Sequence, residues 1–344
     1  MRIAVNTRLL LSGKLEGIGW FMHETLQRIT RQHPEHEFIF LFDRPYAQHF
    51  IYGPNVRGVV VPPPTRHPLL YRVWFDAVLP FVLRSQRADL LFFSPDGFLA
   101  LHSAVPQVPV IHDLNFEHYP ADLPKAYSRY YRSYFPRFAR KAARILTVSA
   151  YSKRDIATRY AIAPELIDVA YNGVGTIFRP RTATEREATR QRLTGGAPYF
   201  VCVGSLHPRK NIARLLQAFD RFAANNTDAR LVIVGEAFWW DAAMRQAWEG
   251  VQHRDRVTFT GRLQQAELHE VLDAALALAF VAYFEGFGIP VVEAMRCGVP
   301  VLAADATALP EVAGDAAVFC DPFDVDSIAA GMGRLWNDAD LRER

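Results

Sequence analysis

Along the whole chain, short apolar or β-branched runs alternate with longer segments of helical period, and halfway along the pattern begins again. Alternation of this kind is the signature of parallel sheets covered by helices, so the fold class is α/β. In the first half the runs at 3–5, 38–42, 58–61, 90–93, 108–111, 145–148 and 167–170 read as strands. The most legible helix lies over 19–31, and Ser149 is placed to cap another at its N-terminus. Runs at 199–203, 231–234, 256–259, 276–281 and 299–303 restart the series as a second Rossmann-like sheet. Between the two sets lie Tyr171-Asn-Gly-Val-Gly-Thr-Ile-Phe-Arg-Pro180 and a charged stretch, 181–192, which read as a hinge and linker. At ~100–200 residues per domain, a chain of 344 residues divides into two. The expected division is 1–175, a linker over 176–195, and 196–344.

Half of the residues are hydrophobic and 22% are charged, which excludes a disordered or coiled-coil chain. Cys202, Cys297 and Cys320 are too far apart for metal-ligand spacing and give no disulfide framework, so a reducing cytoplasm is expected. The N-terminus lacks the continuous apolar core of a signal peptide, and the longest apolar run, 274–284, falls short of the ~20 residues that span a bilayer. The net charge of +3 conceals an asymmetry: residues 1–172 carry 21 Lys+Arg against 14 Asp+Glu, and 173–344 carry 18 against 22. Much of the excess lies over 125–144, where seven basic residues interleave with aromatics. A solvated helix face and peripheral contact with an anionic membrane surface both account for it. Nucleic acid is disfavoured, because no recognition motif accompanies the patch.

The densest chemistry is Glu285-Gly-Phe-Gly-Ile-Pro-Val-Val-Glu293, which follows an apolar run and opens a helix with Pro290 in its first turn. Backbone N–H groups of Phe287, Gly288 and Ile289, at the positive end of a helix dipole, suit a diphosphate, while the two carboxylates accept hydroxyls of a sugar. Upstream, Gly204-Ser205-Leu-His-Pro-Arg209-Lys210 leads from a strand into a helix. Its glycine permits close backbone approach, and its two adjacent cations suit a leaving diphosphate. His112-Asp113 ends a strand of the first half, where doubly wound sheets bind ligands, although such a pair also serves structural ends. Gly17 and Gly19 stand in the connection from the first strand to the first helix, as a phosphate approach or as a loop requiring positive φ.

The segment 285–293 resembles the E-x7-E signature of retaining glycosyltransferases of family four, and the resemblance extends over nearly the whole chain. It implies a GT-B fold, with two Rossmann-like domains facing across a cleft. It implies that Glu285 contacts the transferred sugar, Glu293 the nucleotide ribose, Lys210 the phosphates and His112 the donor sugar. Many members carry an arginine directly after the glycine, where this chain has Ser205, and Arg209 stands in as its replacement. Gly17 and Gly19 match a glycine-rich loop near the donor diphosphate. Gly261, Arg262 and Leu263 match a strand-end loop that packs on the base. Asp113 is read as orienting His112 or touching the acceptor.

The function so implied is transfer of a glycosyl unit from a nucleoside-diphosphate sugar to a glycan or lipid-linked glycan, with configuration retained, without a metal and without a cofactor. No enzymatic nucleophile is assigned. Pro208-Arg-Lys-Asn211, His112-Asp113 and Leu309-Pro-Glu-Val312 look most like bacterial polysaccharide and O-antigen mannosyltransferases, which makes GDP-mannose the first expectation. A nucleotide-sugar epimerase on the same fold and a non-catalytic sugar-nucleotide-binding subunit are the rival readings. Family members continue past the last helix into a segment that crosses back to the first domain. This chain stops at Arg344, so that segment is expected to be missing.

Overall fold

The computed structural model describes residues 1–86, 91–236 and 242–343. It divides into two compact units, Met1–Tyr171 and Asn172–Arg344. In the first, β1 (Arg2–Asn6), β2 (Glu37–Phe42), β3 (Val56–Val60), β4 (Leu91–Ser94) and β5 (Gln107–Pro109) form a parallel sheet in the order β3-β2-β1-β4-β5. Two further strands, β6 (Ile145–Thr147) and β7 (Ile167–Val169), pair with each other, and a parallel bridge from Val110 to Leu146 continues the ladder onto them. Leu90, the expected start of the fourth strand, lies outside the described residues. Phe38, Ile39, Phe40, Leu41 and Phe42 of β2 are all buried, as a strand with both faces covered requires. Around Phe92, the helices bring in Trp74, Phe75, Leu79 and Phe138 to complete the core.

The second unit holds β8 (Tyr199–Val203), β9 (Arg230–Val234), β10 (Val257–Gly261), β11 (Ala277–Phe280), β12 (Val301–Ala304) and β13 (Val318–Cys320) in the order β10-β9-β8-β11-β12-β13. The period of two divides each strand between two cores. Phe200 and Cys202 pack with Leu215, Leu216 and Phe219 on one face, while Tyr199, Val201 and Val203 pack with Leu278 and Phe280 on the other. In both sheets the strand order reverses beside the first strand, between β1 and β4 and between β8 and β11. Such reversals leave a crevice at the strands' C-terminal ends.

One expectation is revised, and one of the two readings of the basic stretch takes shape. Residues 176–195 do not form a linker but fold onto the second unit. Phe178 is fully buried, Thr182 and Glu185 form a capping box that opens the helix Ala183–Thr194, and Arg186 makes a two-pronged contact with the buried Asp273 at 3.0 and 3.1 Å. The basic aromatic stretch is the helix Lys125–Lys141, in which the two residue types separate: Tyr130, Tyr134, Phe135 and Phe138 are buried while Lys125, Arg129, Arg132, Arg137 and Arg140 are exposed. These four aromatics serve the core, and the cations line the exposed face, where Arg132 pairs with Glu117 at 3.3 Å. Among the described residues, no helix is long and apolar enough to cross a membrane.

Candidate active site

The reversal between β8 and β11 assembles the candidate donor site. Gly204 follows β8 at φ +145°, and a Cβ there would lie 2.9 Å from Lys210 Cε, so the absence of a side chain makes room for the lysine stem. Pro208–Lys210 forms a 3-10 turn, capped by His207 Nδ1, which accepts the N–H of Arg209. The turn projects both cations at Glu285, in the loop between β11 and the helix Ile289–Arg296. Arg209 and Lys210 each reach Glu285 Oε1 at 2.6 Å, and Lys210 Nζ stands 4.6 Å from the Phe280 ring centroid. Asn211, in the left-handed region at φ +63°, donates to the carbonyls of Val281 and Pro322 at 3.0 and 2.6 Å and pins the turn to the ends of β11 and β13.

Burial governs these charges. Desolvation pushes the Glu285 carboxyl up, but Arg209 and Lys210 more than offset it, and the group titrates below the usual carboxylate range. For Lys210 desolvation wins over the attraction of Glu285, and its pKa is lowered. Desolvation, helped by Arg209 and Lys210, brings His207 down to about 4, so its imidazole is neutral and caps as an acceptor.

Beyond Glu285, Gly288 at φ +97° is the N-cap of the helix Ile289–Arg296, with Pro290 in its first turn. A Cβ on Gly288 would meet Leu309 Cδ2 at 2.6 Å. Phe287 is buried, and Ile289 is half-buried. Glu293 lies in the second turn of this helix, and desolvation raises its carboxyl to about 7. Its proton is held in the folded state at pH values where the unfolded chain has lost it. The stability this gives is complete below the unfolded pKa and lost as pH rises through about 7. Glu293→Gln should therefore unfold at higher urea, by about 2 kcal/mol at pH 8 after discount for partial exposure, and near pH 4 should match the parent. A difference that stays constant with pH would refute this account.

At the outer strands, Gly261 ends β10 at φ +71°, and its carbonyl accepts the N–H of Gly235 at 3.0 Å. Arg262 and Leu263 follow, both half-buried. Gly235 escaped the sequence reading. It ends β9 at φ +157°, and a Cβ there would lie 1.9 Å from the Gly204 carbonyl oxygen. Ser205, next to Gly204, is exposed.

The remaining candidates belong to the first unit. His112 follows the end of β5, its Nε2 donating to the Pro95 carbonyl at 2.8 Å and its ring edge-on to Phe21 at 4.9 Å. Burial lowers its pKa, and a neutral ring that donates from Nε2 presents Nδ1 as an acceptor. Asp113 does not orient His112: its carboxylate accepts the N–H of Asn115 at 3.0 Å and so caps a turn. Gly17 and Gly19 lie in the first turn of the helix Gly17–Gln32 rather than in a loop, and the positive φ falls instead at Gly13, at +68°. A Cβ on Gly19 would meet the Leu9 carbonyl at 3.0 Å. The sequence also concealed a buried polar network at the ends of β1, β2 and β4. Arg8 Nε donates to Asp96 Oδ2 at 2.5 Å, Asn6 Nδ2 to Asp96 Oδ1 at 2.7 Å, and Thr65 bonds Asp43 at 2.6 Å. It holds the loop whose Pro95 carbonyl fixes the His112 tautomer.

Comparison with known proteins decides the family. Glycosyltransferase Family 4 matches residues 15–178, and Glycosyl transferases group 1 matches residues 184–344. An O-antigen chain mannosyltransferase B of Escherichia coli is 31% identical over 284 residues, which cover 81% of this chain and 74% of that protein. The chain belongs to the glycosyltransferase group 1 family. An O-antigen chain mannosyltransferase, RfbU, of Salmonella typhimurium is 28% identical over 199 residues, 56% of this glycosyltransferase and 52% of the relative. The fold matches the crystal structure of Anabaena Alr3699/HepE in complex with UDP and glucose, with a TM-score of 0.77 at 19% identity over 100% of this chain and 92% of that one. Two Rossmann-like halves with parallel sheets are thus the GT-B architecture.

Proposed function

We propose that this glycosyltransferase moves a mannosyl unit from GDP-mannose to a hydroxyl of a growing cell-surface glycan, with retention of anomeric configuration and without a metal. The observation that carries the reading is the convergence of Arg209 and Lys210 on Glu285 beside the start of the helix Ile289–Arg296. Two cations and a helix N-terminus meet the charge that accumulates on a departing diphosphate, a task a divalent cation performs elsewhere. Glu285 accepts hydroxyls of the transferred sugar, and its negative charge favours an oxocarbenium-like transition state. Glu293 takes the ribose hydroxyls as a carboxylate. His112 accepts a sugar hydroxyl at Nδ1. With no nucleophile assigned, the leaving phosphate oxygen takes the proton of the attacking hydroxyl, and the new glycosidic bond forms on the face that the phosphate leaves.

Mannose is supported by the two O-antigen mannosyltransferase relatives. The exposed cations of the helix Lys125–Lys141 are the surface we assign to peripheral contact with an anionic membrane or the charged carrier of a lipid-linked acceptor. Calorimetric titration of GDP, UDP, GDP-mannose and UDP-glucose in the presence of EDTA tests the donor assignment. The guanine nucleotides should bind and Glu293→Ala should weaken them about tenfold, in line with a lost charge-assisted hydrogen bond. Preference for the uracil series would overturn the donor; a requirement for metal would overturn the metal-free reading.

A further inference from the structure

One carboxylate, Glu285, holds both of the cations that a diphosphate requires. Arg209 and Lys210 each stand 2.6 Å from Glu285 Oε1, the Glu285 and Lys210 side chains are about nine-tenths buried, and the whole cluster lies within the second unit. We infer that Glu285 acts as a built-in competitor of the diphosphate and thereby sets the preference of the site for intact donor over spent nucleotide. The inference rests on the proposed donor site and adds to it an exchange of partners.

The exchange follows from charge. A carboxylate that accepts charge-assisted hydrogen bonds from both cations neutralises one of their two positive charges, and its own charge repels the phosphates. An arriving diphosphate draws Arg209 and Lys210 toward its oxygens and leaves Glu285 in a buried setting with its best partners weakened. An unpartnered buried carboxylate is costly. An intact sugar-nucleotide removes that cost, because its sugar hydroxyls donate to the vacated carboxylate. A nucleoside diphosphate lacks the sugar and cannot. Glu285 therefore penalises the product and spares the donor, which speeds product departure after each turnover. Nearby charge does not substitute for it: His207, which also faces this turn, is neutral.

The test compares GDP, GDP-mannose and inorganic pyrophosphate by calorimetry on the wild type and Glu285→Gln. The amide keeps the shape and removes the charge. GDP and pyrophosphate should bind Glu285→Gln about tenfold more tightly than the wild type, and the ratio of GDP to GDP-mannose dissociation constants should fall toward one. Glu285→Asp, which keeps the charge, should retain the wild-type ratio or part of it, and thermal melting confirms that each variant is folded. GDP and pyrophosphate affinities that are unchanged or weaker in Glu285→Gln would overturn the inference. A wild type that binds no nucleotide, while pyrophosphate still binds more tightly to Glu285→Gln, would instead overturn the donor-site reading and leave the exchange standing.

Discussion

Replacing Lys210 with alanine is expected to lower kcat for sugar transfer by about 10³-fold, with the melting temperature nearly unchanged. Lys210 is buried and brought to the site by the turn after β8, and on the proposed mechanism the charge that it meets grows in the transition state. Loss of a single preorganised donor at such a point costs on the order of 10²–10³ in rate, and here a full charge is lost with it. The fold tolerates the change because Glu285 keeps Arg209 at 2.6 Å and is not left unpaired. Single-turnover rates with saturating donor provide the check, alongside a thermal melt. A loss below tenfold in a folded variant would remove Lys210 from the chemistry.

The second large effect is structural and falls on a residue with no side chain. Gly235→Ala should cost about 3 kcal/mol or more of stability, because its Cβ would sit 1.9 Å from the Gly204 carbonyl oxygen, and backbone cannot step aside as a flexible side chain does. The strain passes directly to Gly204, against which the Lys210 stem packs, so donor affinity should fall even where the variant folds. Gly261→Ala is the control. It too has a positive φ, but nothing lies within 4 Å of its Cβ, so only the conformational penalty of about 1 kcal/mol remains. Urea unfolding of the two variants side by side decides the matter; equal losses would show that the close approach at Gly235 is not what matters.

How legible the chain was depends on whether a feature is local. The strands of both sheets could be read because Phe38 to Phe42 or Tyr199 to Val203 are continuous apolar runs, buried on both faces. β13 was missed, since Val318-Phe-Cys320 offers only three residues, too short a run to show a period. The helix Ala183–Thr194 was mistaken for a linker because it is charged around most of its surface, with Thr189 its one buried residue; the capping box Thr182–Glu185 was the available signal. In the donor site, Glu285, Lys210 and Arg209 could be picked out by motif. That all three meet at one oxygen depends on β8 and β11 being neighbours, which no window of sequence shows. Arg8 and Asp96 are 88 residues apart, and nothing near either announces a buried ion pair. The aromatics of 127–138 stood beside cations in the sequence and parted from them only when helical geometry sent them inward.

Each unit has cores of its own, and Gly204, Arg209, Lys210, Gly235, Gly261, Glu285 and Glu293 all belong to the second. On the proposed function, the donor machinery other than His112 and the Gly17–Gly19 turn of the first unit is therefore a cassette. A chimaera joined at Tyr171 to Asn172, with the second unit taken from a relative of different donor preference, would inherit that preference as a block while the first unit kept its own partners. In a lineage where surface sugars change under selection, recombination at that junction would exchange one sugar for another without rebuilding either hydrophobic interior.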